Sequence, residues 1–364
     1  MIWQITSSGR DRGRTYAEGQ RHVSRATACY HLIFSNSTLK SSRFRWAACQ
    51  IDALENCLDY RTLKSALTSL PTTLDETYGR ILHAIPPEHK QYATIILQLI
   101  TFSERPLRIV EAVDAIAVDT NEDPYFCPKY RMPSPQVISR YCSSLVAVVS
   151  IAEHSNGEDG NRVELQLAHF SVKEYLMSNR LDSDIAQDFQ ESTARAAIAR
   201  VCLAYLLHLT QEVPPKDIMQ RFPFAHYSAR FWMTNAAGAK DMDQRVLEFI
   251  EQLFCYRQSS YKVCYSLYQP DKPWLDRPQG HGAKPALALY YASLGGLLHT
   301  VNCHLNRGAD VHAQGGEYGN ALQAASYKGH EQIVRLLVDK GADVNTQGGY
   351  YGNALYAASS EGQT

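Results

Sequence analysis

The chain has 364 residues, enough for two to three domains, and 45% of them are apolar, enough to bury real cores. A net charge of −1 advertises neither a nucleic-acid nor an anionic-membrane partner for the chain as a whole. No run of eighteen apolar residues exists to span a membrane, and residues 1–30 lack the apolar core of a signal peptide.

Residues 1–43 carry no persistent helical stripe and remain unassigned. Lys and Arg number eight and Asp and Glu two over residues 1–45. A mitochondrial transit peptide has such a composition; so does a disordered lead-in or a truncated start. The next segment, 44–70, is "FRWAACQIDALENCLDYRTLKSALTSL". Its apolar positions Trp46, Cys49, Ile51, Leu54, Leu58, Leu63 and Leu67 predict a helix with its charges on the other face.

Residues 71–178 form the next unit. "PTTLDETYGRILHAI" predicts a helix capped by Thr72 or Thr73, with Asp75 and Glu76 in its first turn. Further helices are expected around "HKQYATIILQLITF", in "LRIVEAVDAIAV" after Pro106, and from the Ser134-Pro135 pair onward. The period then changes to that of strands in Ser144–Ala152 and Arg162–His169, joined by the polar loop "EHSNGEDGN". "FSVKEYLMS" closes the unit as a helix, with Phe170, Val172, Tyr175 and Leu176 facing inward. Helices followed by a β-hairpin make a winged-helix arrangement.

Residues 179–284 read as a helical connector. One long helix is expected over "DIAQDFQESTARAAIARVCLAYLLHL", with Ile185, Phe189, Ile198, Cys202, Tyr205 and Leu206 inward. Two more are expected in "PFAHYSARFWMTNA" and "QRVLEFIEQLF". The aromatic cluster Phe222, Phe224, Tyr227, Phe231 and Trp232 suits core packing between helices better than a ligand box. "QPDKPWLDRPQGHGAKP" is a Pro/Gly-rich joint to the C-terminal segment.

Residues 285–364 repeat. "GADVHAQGGEYGNAL" from Gly308 returns as "GADVNTQGGYYGNAL" from Gly341, an offset of 33 residues. A fixed period of this size signals stacked structural repeats. Between the copies, Ala321, Leu322, Ala324 and Ala325 give one helix a small-residue face, Gly329 breaks it, and Ile333, Val334, Leu336, Leu337 and Val338 resume helical spacing. Lys340 suits the last turn, and Gly341 suits the left-handed cap after it. A weaker copy starts at Ala288, with Gly296, Gly329 and Gly362 in register. There Thr300, Cys303 and His304 replace Ile333, Leu336 and Leu337, as expected of an end repeat with one side against a different domain.

The recurring "AASYKGHEQIVRLLVDKGADVN" resembles the ankyrin repeat. The family's usual Thr-Pro-Leu-His opening is replaced by Asn320-Ala321-Leu322-Gln323 and by Asn353-Ala354-Leu355-Tyr356, so its usual hydrogen bonds between repeats are not implied. "FRWAACQIDALENC", "LTSLPTTLDETYGRIL" and "AHFSVKEYLMS" resemble the segment that comes after the NACHT nucleotide-binding domain in fungal NLR-like (STAND) signalling proteins. The winged-helix part is similar to the module named after GPI inositol-deacylase. The resemblance covers residues 44–364 and implies a mainly α protein: winged helix, helical connector, then a short ankyrin solenoid of about two full repeats and a truncated third. A NACHT domain needs a GxxxxGK[ST] loop to cradle phosphates, and this chain has none, so no nucleotide cofactor or ATPase residue is implied. Residues 1–43 then read as a truncated or re-spliced start, and 44–70 as a helical remnant after a NACHT-type domain.

Chemistry is absent from the motifs. No HExxH, GxSxG or Cys/His metal spacing occurs. Cys303-His304 lie within a repeat helix, and His89, His154, His208 and His226 are isolated. Nucleic-acid binding through the winged helix is disfavoured by nine Lys and Arg against fourteen Asp and Glu over residues 71–178. The would-be recognition helix offers only Arg140, and the wing carries Glu153, Glu158 and Asp159. The expectation is a non-enzymatic adaptor without catalytic, cofactor or metal residues, binding another protein through the ankyrin face. The alternative is a conformational switch controlled in trans by a nucleotide-binding NACHT protein. The nine cysteines, irregularly spaced, read as reduced thiols of a cytosolic-type compartment, with a nuclear location also open.

The expected partner-binding residues are Glu317, Tyr318, Tyr350 and Tyr351 in the loops, with Tyr327 and Lys328 at an inner-helix end. Exposed tyrosines make good interface anchors, although Tyr318 recurring as Tyr351 equally suits a structural place in the repeat. The last repeat stops at Thr364 with its second helix unwritten, so the 354–360 helix is expected to keep an apolar free side that frays or self-associates.

Overall fold

The computed structural model describes residues 40–55, 57–155, 158–209, 215–239, 243–275, 285–360 and 362; the rest of the unassigned 1–43 segment and residues 276–284 of the 269–285 joint lie outside the described residues. The chain divides into two units, residues 1–81 and 82–364.

In the first unit the helix expected over 44–70 is two helices, α1 (Lys40–Glu55) and α2 (Tyr60–Thr68). Asp59 accounts for the break: its carboxylate accepts the Thr62 N–H at 2.9 Å, while the Thr62 hydroxyl takes the Asp59 N–H. A capping box of this kind overrides an apolar period that runs through it. Leu58, counted in that period, is 96% exposed. Helix α3 (Leu74–His83) is capped by Thr73, whose hydroxyl accepts the Glu76 N–H at 3.2 Å, while the Glu76 carboxylate accepts the Thr72 N–H at 2.8 Å.

The second unit begins with the winged helix. Pro87, harmless at a first helical position, starts α4 (Pro87–Phe102). Strand β1 (Leu107–Arg108) leads into α5 (Ile109–Ile116). The helix expected from Ser134 is a 3₁₀ segment, Pro135–Tyr141, and the Ser134 side chain does not cap it. Strands β2 (Val146–Ser155) and β3 (Glu158–Leu167) are longer than expected. Antiparallel pairing runs from Val146↔Leu167 to Ser155↔Glu158, so most of the "EHSNGEDGN" loop is strand. The sheet has the order β1-β3-β2. Buried Ile96, Leu99, Leu107, Ala112 and Leu165 form the core under it. Helix α6 (Phe170–Leu176) buries Val172, Tyr175 and Leu176 as expected, but Phe170 is 60% exposed, because it comes directly after the His169 cap, on the solvent side of the first turn.

The long helix expected in the connector is broken into a one-turn α7 (Ser183–Ala186), a 3₁₀ turn through Phe189, and α8 (Glu191–His208), since Gln190 is extended with ψ near 133°. Helix α8 is buried on nearly every side, as a helix apolar all round must be. Around it and beyond lie α9 (Pro215–Arg221), α10 (Ala225–Gly238), α11 (Gln244–Glu251) with a π turn to Tyr256, and α12 (Gln258–Leu267). Phe224, Tyr227, Phe231 and Trp232 are buried and Phe222 is half-buried, so the aromatic cluster is core.

The repeats supply α13 (Ala288–Leu294) and α14 (Leu298–Asn306), then α15 (Ala321–Tyr327) and α16 (Glu331–Asp339), then α17 (Ala354–Ser360). The turn glycines Gly296, Gly329 and Gly362 have φ of +74°, +67° and +68°, the left-handed region that a side chain would strain.

Candidate protein-interaction site

The repeat loops are built twice from the same bonds. The Asp310 carboxylate accepts the His312 N–H, and the Asp343 carboxylate the Asn345 N–H, both at 2.9 Å. Gly315 N–H donates to Gly319, and Gly348 N–H to Gly352, both at 2.7 Å. Asn320 caps α15 by accepting the Gln323 N–H, and Asn353 does the same for Tyr356. The unusual "NALQ" opening therefore serves as a cap. Gln323 also joins the repeats: its Nε2 donates to the carbonyls of Gly348 at 3.0 Å and Gly352 at 3.2 Å. A buried amide thus does the cross-repeat bonding that the altered motif left unassigned.

On this frame three tyrosine rings stack. Tyr318 lies 4.2 Å from Tyr327 and 6.0 Å from Tyr351, and Tyr327 lies 5.4 Å from Tyr351, all nearly parallel. Tyr350 stands edge-on to Tyr351 at 4.9 Å, and its N–H donates to the Glu317 carbonyl at 2.8 Å, tying the two loops. Lys328 Nζ sits 5.0 Å above the Tyr327 ring. The structure thus brings the six expected residues into one neighbourhood but gives them different exposures. Tyr350 is 73% exposed and Lys328 is exposed; Tyr327 and Tyr351 are half-buried. Tyr318 is only 3% exposed, so it anchors the stack from below and is not itself a docking side chain. Glu317 is also committed inward, pairing with Lys272 at 3.0 Å.

Sequence reasoning missed the base of this site. Asp271, fully buried, accepts the Glu317 N–H at 2.9 Å and the Tyr290 hydroxyl at 3.1 Å, while that hydroxyl accepts the Tyr318 N–H at 3.2 Å. The connector's "QPDK" therefore holds the first repeat loop. Only a partner far along the chain gives those residues a role, so their neighbours carried no signal. The Glu317 hydrogen bond also holds the Lys272 ammonium above its usual range. On the other side of the stack, Leu355 and Tyr356 on α17 are 77% and 70% exposed, an apolar side as expected.

Beneath the repeats, the winged helix and connector are joined by buried charge. Glu111, fully buried, takes two hydrogen bonds from Arg105, each 2.8 Å, and two from Arg108, one from its backbone N–H and one from its Nε, each 2.9 Å. Burial pushes the Glu111 carboxyl up, but the bonds and charge of Arg105, with the charge of Arg108, hold it below its usual range. Asp114 pairs with Arg131 at 2.6 Å and accepts the Tyr205 hydroxyl from α8. Arg131 reaches on to the Arg221 carbonyl, and Ser103 meets the Tyr227 hydroxyl.

No cluster of three or more metal-ligating side chains occurs among the described residues, and no helix there is long and apolar enough to cross a membrane. His89 packs on Tyr141, His208 on Phe126 and Phe222, and His304 on Phe254. The described cysteines are free thiols, and burial pushes Cys142, Cys202 and Cys264 up to about 12.

Two family models match. The GPI inositol-deacylase winged helix domain matches residues 82–188, and ankyrin repeats (3 copies) match residues 289–364. A curated relative from Monascus ruber, "Azaphilone pigments biosynthesis cluster protein L", is 38% identical over 276 residues, which cover 71% of this chain and 57% of the relative. The chain spans a little over half the length of that relative. No solved structure matches it significantly. The chain is mainly helical, with a winged helix and C-terminal ankyrin repeats, both non-catalytic folds, and the repeats are a protein-interaction module.

Proposed function

We propose that this chain is a non-catalytic adaptor of the fungal NLR-like type. In this reading, the tyrosine face of the ankyrin repeats binds another protein, and the winged helix and connector are the platform that orients it. The observation that carries the reading is the pairing of exposed Tyr350 and Lys328 with the half-buried Tyr327 and Tyr351, all fixed from below by buried Tyr318. Rigid aromatic side chains at the edge of a packed cluster give large contact area at small entropic cost. A relative named for a pigment biosynthesis cluster supports looking first among the products of genes neighbouring this one. The cytoplasm fits free thiols.

The test is affinity purification with the full chain and with a Tyr327→Ser, Lys328→Ala, Tyr350→Ser, Tyr351→Ser variant whose melting is unchanged. A partner retained equally by both would remove the tyrosine face from the reading. The second reading, a switch controlled in trans by a NACHT protein, is supported by the bonded continuity from Asp114 through Tyr205 into the connector. Association with such a protein, without ATP binding by the purified chain, would favour it. DNA binding is the weakest reading: Pro135–Tyr141 is a 3₁₀ segment, and the neighbouring Arg131 is committed to Asp114.

A further inference from the structure

The decayed first repeat has a structural consequence. Helix α14 sits where α16 sits one repeat later, but it carries Thr300, Asn302 and Cys303 where α16 has Ile333, Arg335 and Leu336. Thr300 and Asn302 line a trough of about 850 Å³ across α14, walled by α11 and the end of α10 on one side and by α16 on the other, and Cys303 lines its continuation. Leu247, Leu297, Leu298 and Leu336 line it, and Leu298 is 37% exposed there. A smaller hollow of about 90 Å³ continues it past Leu247, His299 and Thr300 to Glu251 and Arg307.

We propose that this trough is a second docking surface, on the outer-helix side of the stack, for a basic amphipathic helix of a partner protein. Shape is the first argument. The walls are helices with an apolar floor between them, the setting in which a partner helix buries an i, i+3, i+4, i+7 stripe. A small-molecule site would instead need polar groups converging from fixed positions. Here the polar lining residues, such as Gln332, Asn302 and Arg335, stand at the rim, and Arg335 is exposed.

Charge is the second argument. Four carboxylates line the trough and its continuation, Asp243, Glu248, Glu251 and Asp339, against two guanidiniums, Arg307 and Arg335. Both guanidiniums are committed, Arg307 to Glu251 at 2.7 Å and Arg335 to Glu331. Asp243 and Glu248 are shared with Arg200 and Arg245. Asp339 has no ion pair among the described residues, so a cation on the partner helix has a carboxylate to meet.

The experiment selects a phage library of 16-residue helical peptides on the full chain. The counter-target is the Leu298→Glu, Asn302→Arg variant, which gives α14 the residues α16 already carries and so fills the trough with side chains this fold tolerates. Peptides with an apolar stripe flanked by Lys or Arg should be enriched. They should bind wild type about tenfold or more tighter than the variant, and Asp339→Lys should weaken them with the fold intact by circular dichroism. Enrichment of acidic or unpatterned peptides, or equal binding to the variant, overturns the proposal. So does a wild-type dimer that becomes monomeric in the variant by sedimentation, which would assign the trough to a second copy.

Discussion

The joint between winged helix and connector and the joint between ankyrin repeats solve the same problem with opposite chemistry. The first centres on ions buried in the winged helix: Glu111 and Asp114 are within 1% of full burial, their partners Arg105, Arg108 and Arg131 reach solvent, and Arg108 and Arg131 go on to the connector carbonyls of Pro223 and Arg221. The second buries a neutral amide, Gln323, and relies on glycines that turn the chain where no side chain fits. A buried ion pair is costly to desolvate and very costly to break, so it penalises wrong partners more than it rewards the right one. A neutral joint with local turns can be repeated, because each unit asks only for a copy of itself.

The largest expected effect tests the ionic joint. Arg131→Met leaves the Asp114 carboxylate, 1% exposed, with the Tyr205 hydroxyl as its remaining described partner. Removing one member of a buried pair costs about 3–5 kcal/mol. Urea unfolding followed by far-UV circular dichroism should show that loss. Replacing the pair together, Arg131→Met with Asp114→Leu, should recover part of it. If the single variant costs less than the double, the joint is not held by charge in the way described.

The same contrast between local and distant partners decides what could be read from the sequence. The repeats were legible because their information is local: a 33-residue offset, a glycine at each turn, and small residues on one helix face. The winged helix was legible where strands and helices alternate, but its ionic joint was not. Glu111 and Arg105 lie six residues apart, and nothing in that spacing says that the pair turns inward toward Tyr227 on α10. The candidate site divides the same way. Tyr350 and Lys328 were found by their place in the loops. Tyr318 was expected at the surface because exposure was inferred from position alone, and its burial depends on Tyr290, 28 residues earlier.

The next effect tests the neutral joint. Gln323→Ala removes the amide that bonds the Gly348 and Gly352 carbonyls of the following loop; both are half-buried and Gly352 keeps the Gly348 N–H, so the loss is that of the hydrogen bonds, about 0.5–1.5 kcal/mol each. Hydrogen exchange should rise over residues 345–352 while the amides of α8 keep their protection. Equal loosening of both regions would mean that the two joints are coupled.

A smaller effect separates the roles of two glycines. Gly341 has φ of +94° and nothing within 4 Å of where a Cβ would stand, so Gly341→Ala meets backbone strain alone, about 1 kcal/mol. Gly296 has φ of +74°, and a Cβ there would meet the His330 ring at 2.8 Å. Gly296→Ala should therefore lower the melting temperature more than Gly341→Ala does. The reverse order would place the constraint in the backbone and not in the contact between repeats.

The smallest expected effect is a difference in pH response. Burial first, then neighbouring cations, hold His304 and His330 below the ordinary histidine value; His330 bonds the Leu294 carbonyl at 3.1 Å and faces Lys328, and His304 packs on Phe254 beside Arg307 and Glu251. A histidine depressed in the folded state binds fewer protons than in the unfolded chain around its ordinary pKa of about 6.5. Stability is therefore present above that value and is lost as pH falls through it toward the folded one. Glu111, held low by its arginines, obeys the carboxylate rule: its contribution is present above about 4.3 and is lost only as pH falls toward its lower folded value. The repeats should thus loosen on mild acidification that leaves the Glu111 pair intact. His208 is also depressed by burial and lies beside Phe126 in the ionic region, so the experiment keeps it unchanged. A His304→Phe, His330→Gln variant should lose less melting temperature than wild type between about pH 7.5 and about pH 5.5. Hydrogen exchange at the lower pH should place the difference in residues 298–340. Equal losses in the two proteins would assign the acid response to His208 and so to the ionic joint.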